Sequence, residues 1–367
     1  MSVQTEMLHA SIKQYRREFG HCWKALVPTG FPPGDGSDDN DRSRLRLLED
    51  GRELGPAHAQ HTLIRERGEG GYSHWGNMLY FSTSDNSDPG GNGRSYTIVA
   101  PADWAAMGRD PAGIPGEVAY AVSLAENYLR RFGEMGVDPK GCSILEIGPG
   151  RNFGLAILMA CEGAKVTVAD RFLSPWVAGY HPLFLTELAR AWRRPTPAID
   201  AMIAAEGFEA GLTLIDQPAE ALSTLADASQ DLVLSVSVME HLFDVPAALR
   251  ELRRVAKAGG RQCHGIDLRD HACLARPFEH LLEAPEAFDR SNRAVNNERG
   301  TQLREGDFTR LMVEAGFAVE RIERHVCDDA AYMADFLARL RISDSPWAGR
   351  SDGELSVDSA GFSLVVS

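Results

Sequence analysis

No stretch of the 367-residue sequence holds the roughly 18 consecutive apolar residues that a membrane-crossing helix needs, so stable membrane insertion is not expected. Its opening, MSVQTEMLHASIKQYRREFG, is too polar for a secretory signal. Cysteine is sparse and scattered: the six residues at 22, 142, 161, 263, 273 and 327 form no CxxC pair. That spacing argues against a zinc ribbon or a disulfide framework and fits a reduced, cytoplasmic chain. Basic residues are in deficit, with 38 Lys+Arg against 52 Asp+Glu and a net charge of −14. Such a balance repels phosphate, so nucleic acid is not an expected partner. There is also no internal repeat. What remains is an ordinary globular balance, with 44% hydrophobic and 25% charged residues, long enough for two domains.

The chain changes character along its length. Residues 30–43 are rich in Gly, Pro and Asp and read as a loop. RLRLLEDGRELG (44–55) breaks at Asp50-Gly51, a hairpin signal, and residues 70–100 place aromatic and β-branched runs between Gly, Asn and Asp clusters. Residues 40–100 therefore read as a small β-rich module preceded by a helix at about 4–18. Its aromatics, Tyr72, Trp75, Tyr80 and Phe81, suit either sugar stacking or the core of that module.

After Pro115 the rhythm becomes strand and helix in alternation. A helical spacing over 116–134 (Val118, Ala121, Leu124, Tyr128, Phe132) precedes apolar runs at 143–147, 165–169, 212–215, 231–237 and around 264–268. Helical stretches are expected at 153–162, 182–206, 218–226, 246–257 and 306–315, then strand-like runs at 317–326 and 361–367. Alternation of this kind implies βαβ units, a parallel sheet covered on both faces, and ligands beyond the carboxyl ends of its strands. The division expected is 1–112 as an accessory module and 113–367 as the main domain.

Chemistry should therefore follow each strand. After the first comes EIGPGRNFG (146–154), whose glycines allow a tight turn and close backbone approach to a ligand. A dinucleotide-binding G-x-G-x-x-G fails at Phe153, and no Lys follows to make a P-loop. The second strand ends in Asp170, 22 residues beyond Gly148, where a carboxylate can accept from both hydroxyls of a ribose. The ordered set EIGPG, VAD (168–170), DLVLSVSVMEHL (231–242) and LRRVAKAGG (252–260) resembles the class I S-adenosylmethionine-dependent methyltransferases over roughly residues 115–367.

The resemblance implies an α/β fold: a Rossmann-like, seven-stranded, mostly parallel sheet with flanking helices, here with an N-terminal β-containing extension. The last strand would enter antiparallel between the fifth and sixth. It implies S-adenosyl-L-methionine as cofactor, with Gly148 and Gly150 beneath its methionine part, Glu146 organising the turn, Asp170 on the ribose and Arg171 beside the adenine. Two positions depart from the family pattern. Pro218 stands where an acid is usual, which leaves Gln217, Ala219 or Glu220 for the adenine. Asn152 stands in place of a third glycine, with the following helix to cap or a cofactor carboxylate to meet.

Methyl transfer to a hydroxyl needs an aligned acceptor and a route for its proton. Candidate bases lie after the fourth strand, at Glu240-His241, and after the fifth, in HGIDLRDHACL (264–274). His271, with Asp270 beside it, is the favoured base, His241 the second, and His264 reads as a core histidine. Asp267, Asp270 and His271 could supply oxygen and imidazole ligands to a divalent cation, but their spacing fits no metal signature, and no metal site is expected. The aromatic run Phe172 to Tyr180-His181 suits a lining for the cofactor's adenine, part of an acceptor lid, or packing between helices. A loose likeness of the N-terminal module to those of bacterial surface-polysaccharide enzymes tips the acceptor toward a glycan hydroxyl. A small natural product or lipid-linked acceptor, or a non-catalytic glycan binder, stands as the alternative. The pattern sets no oligomeric state.

Overall fold

The computed structural model describes residues 7–13, 15–28, 31–32, 34–36, 43–101, 111–171, 173–294 and 297–366. The chain divides into two compact units, 1–110 and 111–367. Most of the loop expected at 30–43 lies outside the described residues, as does Phe172.

The first unit holds two antiparallel sheets. Its strands are β1 (Met7–Ile12), β2 (Arg16–Phe19), β3 (Cys22–Leu26), β4 (Arg46–Glu49), β5 (Arg52–Glu53), β6 (Tyr72–Trp75), β7 (Met78–Phe81) and β8 (Tyr96–Pro101), with one short helix, α1 (His61–Glu66). They order as β1-β8-β4-β5 and β2-β3-β7-β6. The helix expected at 4–18 is thus replaced by two strands: residues 7–12 pair with β8 and residues 16–19 with β3. Partly exposed faces in both strands blur the alternation that would have marked them. The Asp50-Gly51 turn does join β4 to β5, with both residues at positive φ, 47° and 79°. Tyr72, Phe81 and Tyr96 are buried in one core cluster, and Tyr80 is covered by the His61 ring at 4.0 Å. Packing, not an open sugar platform, accounts for these rings.

The second unit begins with α2 (Ile114–Glu134) and continues β9 (Ser143–Ile147), α3 (Gly154–Cys161), β10 (Lys165–Asp170), α4 (His181–Trp192), α5 (Pro197–Ala205), β11 (Thr213–Asp216) and β12 (Gln230–Val236). Then come α6 (Val245–Val255), β13 (Ala256–Asp267), α7 (Pro285–Ala294), α8 (Glu305–Glu314), β14 (Phe317–Val326), α9 (Ala330–Arg341), α10 (Asp352–Leu355) and β15 (Val357–Val366). The seven strands order as β11-β10-β9-β12-β13-β15-β14, parallel except for β15, which runs antiparallel between β13 and β14. This is the doubly wound, Rossmann-like sheet, with the reversal of strand order falling between the parallel β9 and β12.

Three local expectations are corrected. The helix expected over 182–206 is two helices, because Arg193 turns left-handed at φ 54° and Pro195 and Pro197 cannot donate to a continuing helix. No α-helix forms at 218–226; the Gln217 side chain bonds Ser223 Oγ at 2.9 Å and the Thr224 backbone at 3.2 Å, closing a turn instead. β13 starts at Ala256, well before the apolar run, with a bulge that carries residues 257–260 out of register.

α2 covers one face of the sheet with Val118, Ala121, Ala125, Tyr128 and Phe132, and the Tyr128 hydroxyl donates to Ser235 O at 2.9 Å. His264 is a satisfied core residue between Ser235 Oγ (2.7 Å) and Gln262 Oε1 (2.9 Å), and burial pushes its pKa down to about 3. Among the described residues, no helix is long and apolar enough to cross a membrane.

Arg304 is the one fully buried guanidinium among the largest buried side chains. It donates to Leu268 O at 2.7 Å and to Val357 O, tying the end of β13 to the start of β15. Burial lowers its pKa only to about 10, so it stays charged at neutral pH. Arg304→Ala strands two buried carbonyls and is expected to cost about 2–5 kcal/mol in urea unfolding. A loss below about 1 kcal/mol would contradict that role.

Candidate functional site

The turn after β9 is built on left-handed backbone. Gly148, Gly150 and Phe153 have φ of 64°, 68° and 54°. At Gly148 a side chain is excluded for two reasons: the positive φ, and the methyl of Val238, which stands 2.2 Å from where a Cβ would lie. The loop leaving β12 therefore runs directly against the glycine turn. Gly150, by contrast, has nothing within 4 Å of that position and faces open space. Gly154 opens α3 where an added Cβ would sit 2.6 Å from Ala121 Cβ, so its absence lets α3 approach α2. Phe153 takes the left-handed conformation without being glycine and is held there by complete burial against Phe208, ring to ring at 4.5 Å.

Between this turn and α2 lies a cavity of about 340 Å³, bordered by Glu117, Tyr120, Glu146, Gly148, Gly150 and Asn152 among others. That volume is in the range of small-molecule and cofactor sites. Glu146, on β9, is only 3% exposed. One of its oxygens meets the Ala156 backbone N–H, and the other, Oε2, has no hydrogen-bond partner among the described residues. Burial raises its pKa to about 8. A buried carboxyl with an unsatisfied oxygen facing a cavity is what a ligand donor or cation would complete.

Asn152 neither caps α3 nor stands alone; its amide donates to Glu117 Oε2, which also accepts from the Tyr180 hydroxyl. The departure from glycine thus ties the turn to α2 and to the residue preceding α4. Sequence reading missed Glu117 and Tyr120, and placed Tyr180 only in an aromatic segment, not beside the glycine turn. Glu117 was legible only as an acid in the first turn of a helix, which is an ordinary place for one.

Asp170 ends β10 beside this turn, since the Gly148 N–H donates to Ala169 O at 3.0 Å. Arg171 stacks over Phe243 at 4.6 Å, and Glu220 accepts from the Phe243 backbone N–H at 3.0 Å, so these two meet at one ring. Ala219 is buried, and the Gln217 amide is engaged with Ser223 and Thr224 in its own turn. The aromatic run beyond Phe172 packs: Trp176, His181 and Phe208 form one ring cluster, with Tyr180 stacked on Phe184.

The second group lies past the ends of β12 and β13. His241 and His271 face each other with ring centroids 4.9 Å apart. The pairing expected of Asp270 with His271 is corrected. Asp270 is buried in an ion pair with Arg299, whose guanidinium donates to both of its oxygens, at 3.2 and 2.7 Å, and so occupies the carboxylate. The acid beside His271 is Asp267, with Oδ2 at 3.4 Å from Nε2, an ion-pair approach without hydrogen-bond geometry. Asp267 raises the His271 pKa, whereas burial lowers that of His241. Burial alone would raise Asp267, but His271 and Arg269 hold it low. Glu240, 1% exposed, completes the group; burial raises its pKa to about 8.

Residues 195–263 match a family profile described as a methyltransferase domain, a span from just before α5 into β13 that contains Gln217, Glu220, Glu240 and His241. That match supports a methyltransferase with S-adenosylmethionine as its cofactor. No curated protein matches the sequence. Among solved structures the chain is similar to a putative sarcosine dimethylglycine methyltransferase from Galdieria sulphuraria, at 16% identity over 67% of this chain and 86% of that one, TM-score 0.41. It is similar to an S-adenosylmethionine dependent methyltransferase from Mesorhizobium loti, at 19% identity over 62% and 92%, TM-score 0.37. A third is 1,6-didemethyltoxoflavin-N1-methyltransferase from Burkholderia thailandensis, at 14% identity over 67% and 78%, TM-score 0.37. The fold assignment rests on the strand order above, not on these scores.

Glu146 gives a pH signature. Its carboxyl is protonated in the native protein up to about pH 8 and titrates near 4.5 when unfolded. Its contribution to stability is therefore full below 4.5 and is lost as pH rises through about 8. The unfolding free energy of wild type minus that of Glu146→Gln is expected to fall by on the order of 3–5 kcal/mol across that window. Urea unfolding at several pH values checks it, and a flat difference contradicts the protonated state.

Proposed function

We propose that this protein is an S-adenosylmethionine-dependent O-methyltransferase whose acceptor is a sugar hydroxyl on a glycan or its precursor. One observation carries the cofactor half: the cavity beneath a left-handed glycine turn, with the unsatisfied Glu146 carboxyl on its wall, at the switch point of the β11-β10-β9-β12-β13-β15-β14 sheet. Such switch points are where open α/β sheets bind ligands. In this reading Glu146, Gly148, Gly150 and Asn152 border the methionine part of the cofactor. Asp170 takes the ribose, and Arg171 with the turn at Gln217, Ala219 and Glu220 borders the adenine. The cofactor supplies a methyl group activated on a sulfonium, and the protein supplies alignment and a place for the acceptor's proton. His271, with Asp267 beside it, is the group poised to take that proton in the metal-free protein, and His241 is its neighbour. Residues 1–112 serve as an accessory module in this proposal.

Calorimetric titration with S-adenosylhomocysteine tests the cofactor site. Micromolar binding is expected, weakened about 10- to 100-fold in Asp170→Ala, as loss of a charged hydrogen-bond acceptor requires. Unchanged affinity in that variant refutes the ribose assignment. A small natural product is the competing acceptor, since the fold does not choose one. Transfer of labelled methyl to nucleotide sugars and oligosaccharides, set against phenolic and carboxylate acceptors, separates the two. Turnover preserved in His271→Ala at saturating cofactor and acceptor removes His271 as base.

A further inference from the structure

Past the ends of β12 and β13, the side chains of Glu240, His241 and His271 converge. Glu240 is 1% exposed; its Oε1 accepts from the Asp267 backbone N–H at 3.2 Å, and its Oε2 has no partner among the described residues. His241 Nδ1 lies 2.7 Å from Asn297 O. A carbonyl only accepts, so Nδ1 carries the hydrogen, and the Nε2 lone pair of the neutral ring points elsewhere. His271 Nε2 is buried and, among the described residues, makes no hydrogen bond; its nearest acid, Asp267 Oδ2, stands 3.4 Å away. One binding atom from each residue lies within 4.8 Å of the others. Gly300 borders the group: a Cβ there would sit 3.3 Å from Arg269 O, 3.9 Å from His271 Nε2 and 4.0 Å from Glu240 Cβ.

We propose that Glu240, His241 and His271 form a binding site for a divalent transition cation. Two imidazoles and one carboxylate suit borderline ions such as zinc, cobalt or nickel, whereas magnesium and calcium favour all-oxygen shells. Bonds of about 2.0–2.2 Å require the three atoms to close by roughly an ångström, within the reach of side-chain rotation. The Asn297 carbonyl on His241 is the kind of outer contact that fixes the ring of a metal-binding histidine. Asp267, with its Oδ2 3.4 Å from His271 Nε2, adds negative charge beside the site. The three ligands occupy one side of the ion and leave other positions for water or an acceptor oxygen. With the cation bound, His271 is a ligand, and its role as a base applies only to the metal-free protein. The inference concerns binding and does not depend on methyl transfer.

The test uses the full chain, stripped with a chelator and titrated with cobalt(II) and zinc, with magnesium as the contrast. Expected are about one equivalent of tightly bound cobalt with visible d–d absorption, and much weaker magnesium. Affinity should fall at least about 30-fold in His271→Ala and in Glu240→Gln and hold in His325→Gln, a histidine elsewhere on the surface. Should Glu240→Gln fail to fold, His271→Ala decides, because its side chain is partly exposed. No bound cobalt, affinity unchanged in His271→Ala, or magnesium bound as tightly as cobalt overturns the proposal. Titrating the same variants with S-adenosylhomocysteine reads the cofactor site separately, so failure of one reading does not mask the other.

Discussion

The contact between Gly148 and Val238 constrains everything around it. With room for a hydrogen and nothing larger, the turn after β9 and the loop after β12 are held against each other across the middle of the sheet. That contact fixes the direction in which α3 leaves and keeps the backbone of the turn bare toward the cavity. It also places Met239, Glu240 and His241, the residues immediately after Val238, at the edge of the same corner. The left-handed Phe153 is the cost of that path: a non-glycine in a disfavoured conformation, stabilised by a fully buried ring.

Two carboxyls, Glu146 on β9 and Glu240 just beyond the neighbouring β12, are almost fully buried, and each retains one oxygen without a partner among the described residues. The buried His264, by contrast, is satisfied on both ring nitrogens by Ser235 and Gln262. An unmade hydrogen bond to a buried acid costs about 1–3 kcal/mol or more. The structure carries that cost twice within one region, and both pKa values rise to about 8 in consequence. Where a fold leaves such groups unsatisfied, a ligand is the natural completion, a cofactor at one and a cation at the other.

The sheet was legible because its buried strands read as short apolar runs, and the last strand stood out as an apolar run at 361–367. The helix break at Arg193 was missed because apolar spacing continues on both sides of Pro195 and Pro197. The first strands were missed because their faces are only partly buried. At the site, glycines and strand-end acids carry local signals, so Glu146, Gly148, Gly150 and Asp170 could be named. The partner of His271 could not. Sequence adjacency favours Asp270, whereas the chain after β13 turns so that Asp267, four residues before His271, faces the ring and Asp270 meets Arg299. Glu240 could be named beside His241 after the fourth strand, but its almost complete burial could not, since that follows from tertiary packing.

The central claim is that the 340 Å³ cavity between α2 and the glycine turn is the cofactor site. A crystal structure grown with saturating S-adenosylhomocysteine tests it most directly. The account predicts ligand density in that cavity, with the amino-acid end beside Glu146 and the ribose at Asp170. Density at a different place on the protein, or a cavity holding only water at saturating ligand, would contradict it.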